Sequence, residues 1–317
     1  MDKREFMERV KNEIEGYLPE EYRGASISLE EVTKNNDTKI CGLSILREDD
    51  NMSPLIYLDR YYDRFERGED MDKILEIIAH EYVTSMGYVM PEIEPDLDYE
   101  NIREHLRPKL IDSLSNRDLL KEVVSYTNEL GLAVVPYIDF ERSEGYPGIA
   151  VVTKEMAAVH EYDEDRVIRD AIKNEPGITD PKLYDLEDMM FNFLGEPDDL
   201  FENTDVVRSQ SNILVLTNKE RYLGASMIIY PEVLEAIGNI LGSDYYVLPS
   251  SIHEVIIMRD HGLMTPKEMV QMVERINETV VNPEDRLGNR VFRYRCDIRQ
   301  LSVAVEPEKQ RTQERGR

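Results

Sequence analysis

Residues 91–104 constrain the fold of this chain more than any other stretch. They hold Pro91, Pro95 and six acidic residues, with Arg103 the only base. Proline biases the residue before it away from helix, and a run of like charges with few apolar side chains has too little to bury to offset the entropy of ordering. Such a stretch separates folded units. The expected organisation is an N-terminal unit at 1–90, an acidic linker at 91–107, a second unit at 108–304 and a disordered tail at 305–317. Two units suit a chain of 317 residues, since domains usually run to roughly 100–200 residues.

Each unit mixes helix and strand patterns. Phe6, Val10, Ile14, Tyr17 and Leu18 recur at helical spacing behind Asp2 and Glu5, which have the form of a capping box. Residues 25–32 and 40–46 read as a hairpin around the turn residues Asn35, Asn36 and Asp37. Helices are expected at 54–67 and 70–87. In the second unit the patterns predict helices at 110–130, 164–174, 181–194 and 231–241, and strands at 132–138, 149–153, 213–216, 245–248 and 255–258. Thr265, Pro266 and Glu268 combine an N-cap, a first-turn proline and a capping glutamate ahead of a last long helix. The expected fold class is α+β: two small mixed units, their short antiparallel or mixed sheets flanked by amphipathic helices.

Charge narrows the partners. Asp and Glu outnumber Lys and Arg 65 to 38, a net of −27. A surface that negative repels nucleic-acid phosphates and anionic membranes, so neither is an expected partner. The charge is uneven, however. Residues 286–317 hold nine Arg or Lys against four Asp or Glu, a net of +5, which leaves −32 on the rest. Arg293 and Arg295 alternate with Phe292 and Tyr294, as in a strand with a basic face. Three readings stand: an intramolecular clasp against the acidic body, a docking strip for an acidic partner protein, and, last, weak nucleic-acid contact, which the acidic body opposes. Cys41 and Cys296 form no CxxC pair, and no apolar run approaches the roughly 20 residues needed to span a bilayer. With no apolar signal segment at residues 1–6, the expected compartment is the cytoplasm.

Few residue sets carry chemistry. Ser250, Ser251, His253 and Glu254 have the residue types of a hydrolase triad, but on a strand Ser251 and His253 face one way and Glu254 the other. No GxSxG elbow accompanies them. A Pro-Ser-Ser turn entering a strand accounts for the same residues, and a polar binding cluster is the functional alternative. His80-Glu81 opens like a zinc-protease helix, yet residue 84 is threonine; Asp96, Asp98 and Glu100 are spaced like a calcium loop, yet residue 101 is asparagine where that loop needs glycine. There is no phosphate-binding or dinucleotide loop, so no cofactor and no metal are expected. Tyr57 and Tyr61 share a face if their segment is helical; they would either cover the hairpin or form a partner-binding patch.

Several of these stretches carry a resemblance. Lys34-Asn35-Asn36, residues 54–58 with Tyr61, Tyr62 and Gly68, the pair Thr217-Asn218 with Gly224-Ala225, and above all the block 246–255 resemble the bacterial family catalogued as domain of unknown function 5688. The likeness spans residues 1–295. It implies no activity, ligand or catalytic residue. The expected function is therefore a non-enzymatic protein-binding or regulatory accessory factor, with a hydrolase near Ser251 and His253 as the alternative.

Overall fold

A computed structural model describes residues 1–48, 53–89, 97–140, 148–178, 180–191, 197–202 and 212–305. The chain is α+β, with three antiparallel sheets. It divides into two compact units, Met1–Asp96 and Leu97–Arg317.

In the first unit, α1 (Lys3–Glu13) starts at the capping box of Asp2 and Glu5 and buries Phe6, Met7 and Val10. Strands β1 (Ser26–Lys34) and β2 (Thr38–Leu46) pair over nine positions around a turn in which Asn36 and Asp37 adopt φ of 61° and 50°, a region these two residue types tolerate. β3 (Ile56–Tyr57) lies on the far side of β2; α2 (Asp59–Glu66) and α3 (Met71–Val89) follow. Leu43 and Ile45 project from the sheet into a core with Phe6, Leu58, Tyr61, Ile74, Ile78 and Tyr82. Burying each such side chain contributes about 1.5–3 kcal/mol. The expected single helix over 54–67 is corrected: its first part is β3, and the helix begins at Asp59. Pairing is the reason: Ile56 and Tyr57 sit opposite Leu43 and Gly42 of β2, and the Leu55 side chain packs where a Cβ at position 42 would stand.

The second unit opens with α4 (Tyr99–Ile102), β4 (Leu106–Asp112), α5 (Leu119–Glu122), β5 (Tyr126–Thr127), β6 (Leu132–Phe140) and β7 (Gly148–Val151). Next come α6 (Lys154–Val159), α7 (Glu164–Ile178), β8 (Pro181–Asp185), α8 (Leu186–Phe191), β9 (Ile213–Asn218) and α9 (Pro231–Leu241). The last elements are β10 (Tyr245–Pro249), β11 (Val255–Arg259), α10 (Pro266–Thr279), β12 (Val291–Arg295) and β13 (Gln300–Val305). One sheet centres on β6, flanked by β4 on one side and by β5 and β7 on the other. The other runs β13-β12-β10-β11-β9-β8. Alternation along β10 sends Tyr245 and Val247 into a core shared with β4, β6 and α9, and Tyr246 and Leu248 toward α10.

Three sequence expectations fail here. Residues 97–107 are folded rather than linker: Ile102 and Leu106 are buried with Val167 and Ala171 of α7, and the Tyr99 hydroxyl donates to Asp170 at 2.7 Å. These apolar side chains outweigh the acids around them. Residues 110–130 hold β4, a turn and short α5 instead of one helix. Leu110 and Ile111 are both buried, so β4 is covered on both faces and lacks the alternation that marks a strand; Pro108 is tolerated because β4 is an edge. Residues 181–185 pair with β9 as β8, so the helix expected there begins only at Leu186. The stretch 91–96, the polar turn that Glu144 and Gly145 suggest between the strands at 132–138 and 149–153, and the 306–317 tail lie outside the described residues.

Candidate functional site

Three connections of the second unit meet at one end of the six-stranded sheet. They follow β9, join β10 to β11, and follow α10. Thr217 and Asn218 end β9 with buried, fully bonded side chains. The Thr217 hydroxyl donates to the His253 carbonyl at 2.8 Å. Asn218 brackets Tyr222: its amide NH2 donates to the Tyr222 carbonyl at 2.8 Å, and its Oδ1 accepts from the Tyr222 N–H at 3.1 Å. The chain is thereby bent so that Arg221 and Leu223 take φ of 52° and 56°. Such backbone strain in non-glycine residues gathers at functional loops. Gly224 completes the bend, for a Cβ there would lie 2.6 Å from the Asn218 nitrogen and 2.8 Å from the His253 oxygen.

His253 ties the three connections together. Its Nδ1 accepts from the Leu223 N–H at 3.1 Å, so the ring proton sits on Nε2, 3.3 Å from Asp285 Oδ1. That hydrogen bond is the main reason the Asp285 carboxyl is held below its ordinary range, against the opposing effect of burial. The Ile252 N–H donates to the Asp285 carbonyl at 2.7 Å, which fixes the last connection independently of the side chains. The Tyr222 ring lies 5.2 Å from the imidazole, tilted by 32°, and is 36% exposed. Burial, then the charges of Asp285 and Asp139, push its phenol up.

The serines take a different part from that of a nucleophile. Ser251 is buried, and its Oγ accepts from the His253 backbone N–H at 3.0 Å rather than facing the ring. Its own N–H donates to the Glu254 carbonyl at 3.1 Å. Ser250 and Glu254 are half-buried beside it. The structure therefore brings Ser251 and His253 together through the backbone, and the acid at the ring is Asp285 in place of Glu254. Sequence reading misses Asp285 because it lies 32 residues beyond His253. Its one local signal is the Asn282-Pro283 turn. Tyr222 has no local signal, since its place depends on how Asn218 folds the loop. The arrangement offers a rigid, partly exposed aromatic and imidazole pair and leaves no ring nitrogen free to take a serine proton.

The other expected site residues are dispersed. Tyr61 is 1% exposed in the core of the first unit; its hydroxyl donates to Glu81, and burial first, then Glu81, pushes it up to about 12. Tyr57 sits on β3 with the Lys34 ammonium 4.4 Å from its ring, so the two tyrosines share no helical face. Arg293 pairs with Asp244 at 3.1 Å and Asp260 at 2.7 Å; Arg295 pairs with Asp297 at 2.8 Å. Arg299 pairs with Glu235 at 2.9 Å, and Arg290 with Asp112. A docking strip would need these arginines, and carboxylates of the same unit take them up.

Among the described residues, no group of three or more His, Cys, Asp or Glu could hold a metal ion, and no helix is long and apolar enough to cross a membrane. His80 is exposed on α3. A cavity of about 300 Å³ at the end of α9 is lined by Glu235, Asn239, Tyr294, Cys296 and Arg299, with Gly238 and Gly242. Its thiol is a poor nucleophile: Cys296 donates to the Ser243 carbonyl at 3.3 Å, and burial, then Asp244, pushes it up.

Neither the curated proteins nor the solved structures offer a match to this chain. A family model does, over residues 3–296, and it takes in all three connections around His253. The chain belongs to the family of unknown function DUF5688.

Proposed function

We propose that this chain is a non-enzymatic cytoplasmic protein that binds another protein or enters a regulatory assembly, with Tyr222 and His253 presenting the recognition surface. What carries the reading is the engagement of both His253 ring nitrogens inside the fold, one by the Leu223 N–H and one by Asp285. A hydrolase at Ser251 and His253 requires one of those nitrogens for the serine proton. A half-exposed tyrosine packed on a fixed imidazole instead has the character of an interface anchor, since rigid aromatics lose little entropy on contact.

A photo-crosslinking residue at position 222 tests this, with position 126, also exposed, on β5, as the control. A discrete crosslinked partner at 222, absent at 126 and lost on His253→Ala, is the expected result. Hydrolysis of a model ester by the purified chain, abolished by His253→Ala, would return the site to catalysis.

A further inference from the structure

The first unit carries an open sheet edge. β1 is the outer strand of its sheet, and none of its nine residues is buried. All nine pair with β2 in continuous register, without a bulge. Among the described residues, no backbone group of Ser26–Lys34 bonds to anything but β2. The strand has no proline and no glycine. Proteins normally blunt an edge with shortness, proline, a bulge or charge. This one is about 30 Å long, at roughly 3.3 Å per residue, and unbulged, and charge is what guards it.

That charge is one-signed where it matters. Glu30 and Glu31 stand exposed at mid-strand, on opposite faces. Glu30 accepts from the Ser28 hydroxyl and, among the described residues, pairs with no Lys or Arg. Among the described residues, Glu31 has only the Lys39 ammonium, 3.9 Å away and also bonded to Thr33. Lys34, the one base on the strand, lies over the Tyr57 ring. Ile27 and Leu29 are partly buried against the core, so a neighbouring strand would extend that apolar face.

We infer that the β1 edge accepts an extended basic segment of a partner protein as a fourth strand. Backbone hydrogen bonds would supply the affinity, and alternate side chains the choice of partner. Residues opposite each other on paired strands lie about 5 Å apart, so the bound segment sets adjacent Lys or Arg side chains against Glu30 and Glu31. Apolar residues flank them, toward Leu29 and Val32. A second copy of this chain fits worse, because an antiparallel β1 pair in full register sets Glu30 against Glu30. The inference rests on the proposed function only in taking a protein as partner; it names a different surface.

The probe is a capped nonapeptide with a central Lys-Arg pair between alternating Val and Thr. Backbone bonding is indifferent to sequence, so length, extension and charge suffice. Binding to the full chain is measured by fluorescence anisotropy, and amide exchange is followed along 26–34. The expected result is binding with slowed exchange at alternate β1 amides. Methylating alternate peptide nitrogens, which leaves the charge unchanged, abolishes it. Glu30→Lys with Glu31→Lys weakens binding about tenfold or more, the sum of two lost and two reversed pairs, and transfers the preference to a peptide with a central Glu-Glu pair. Both glutamates are exposed, so circular dichroism of the variant should match the parent. Absence of binding, equal binding of the methylated peptide, or no protection of β1 overturns the proposal. A dimer in sedimentation without peptide that this double variant dissolves would make the second copy the occupant. None of these outcomes bears on Tyr222 or His253.

Discussion

Arg290 pairs with Asp112, 178 positions apart in the chain, both side chains nearly fully buried. The same guanidinium donates to the Gly131 carbonyl at 2.7 Å, and Asp112 accepts from the Ser115 N–H and hydroxyl at 2.9 and 2.8 Å. Gly131, at φ 73°, cannot be another residue without its Cβ striking the guanidinium. Removing one partner strands a buried charge. Arg290→Ala should therefore cost about 3–5 kcal/mol in urea denaturation, whereas Arg290→Met with Asp112→Leu should recover most of it. A single-variant cost below about 1 kcal/mol, as for an exposed pair, would show that the pair is not structural.

Deleting residues 286–317 should separate the two units in their response. It removes β12 and β13 and strips Phe292 and Tyr294 from the main core. The second unit should lose its cooperative transition, while the first, whose core is drawn from Phe6 through Met86, keeps its own. Limited proteolysis with mass spectrometry would reveal a surviving N-terminal fragment. An unchanged thermal profile would revive the docking-strip reading of the basic C-terminal stretch.

Gly224→Ala should destabilise the second unit by about 1–3 kcal/mol, the range for a side chain forced into filled space. The added Cβ meets backbone atoms on two sides, which cannot rotate away. The same variant should raise amide exchange at Leu223, because its bond to His253 depends on that bend. Wild-type exchange rates there would mean the loop relaxes without consequence.

Tyr61 makes the stability of the first unit fall at high pH. An unfolded tyrosine loses its proton near about 10, while Tyr61 keeps its own up to about 12. Over that interval the folded state binds more protons than the unfolded state, so stability declines as pH rises. Its contribution is intact below about pH 10 and lost toward pH 12. Tyr61→Phe should flatten this slope in urea midpoints taken between those limits, and an equally steep slope in the variant would assign the loss to other groups.

Elements whose ends carry their own chemistry are legible in the sequence. The capping boxes at Asp2 and Thr265, and Pro231 at the head of α9, place three helices within a residue or two. β4 and β8 are not legible, because what makes them strands is a partner elsewhere in the chain: β6 for one, β9 for the other. The site divides the same way. Ser251 and His253 are visible as a local cluster, but the residues that define the ring's state, Leu223 and Asp285, lie 30 and 32 positions away. Side-chain alternation does not reach this cluster, because residues 250–254 bend between β10 and β11 instead of continuing a strand, and it has no means of naming Asp285.

The long reach between Asp112 and Arg290 also sets a timetable for the chain as it is made. The sheet of the first unit closes within residues 26–57, so that unit can settle while the rest is still being synthesised. The second must hold Asp112 without its arginine, and β10 paired along only one edge, until residues 290–295 emerge. Long-range strand pairing is slow, and the waiting edges are sticky. In the cell, the second unit is the part of the nascent polypeptide that needs shelter from its neighbours, and stalled translation short of Arg290 would leave a folded head on an aggregation-prone body.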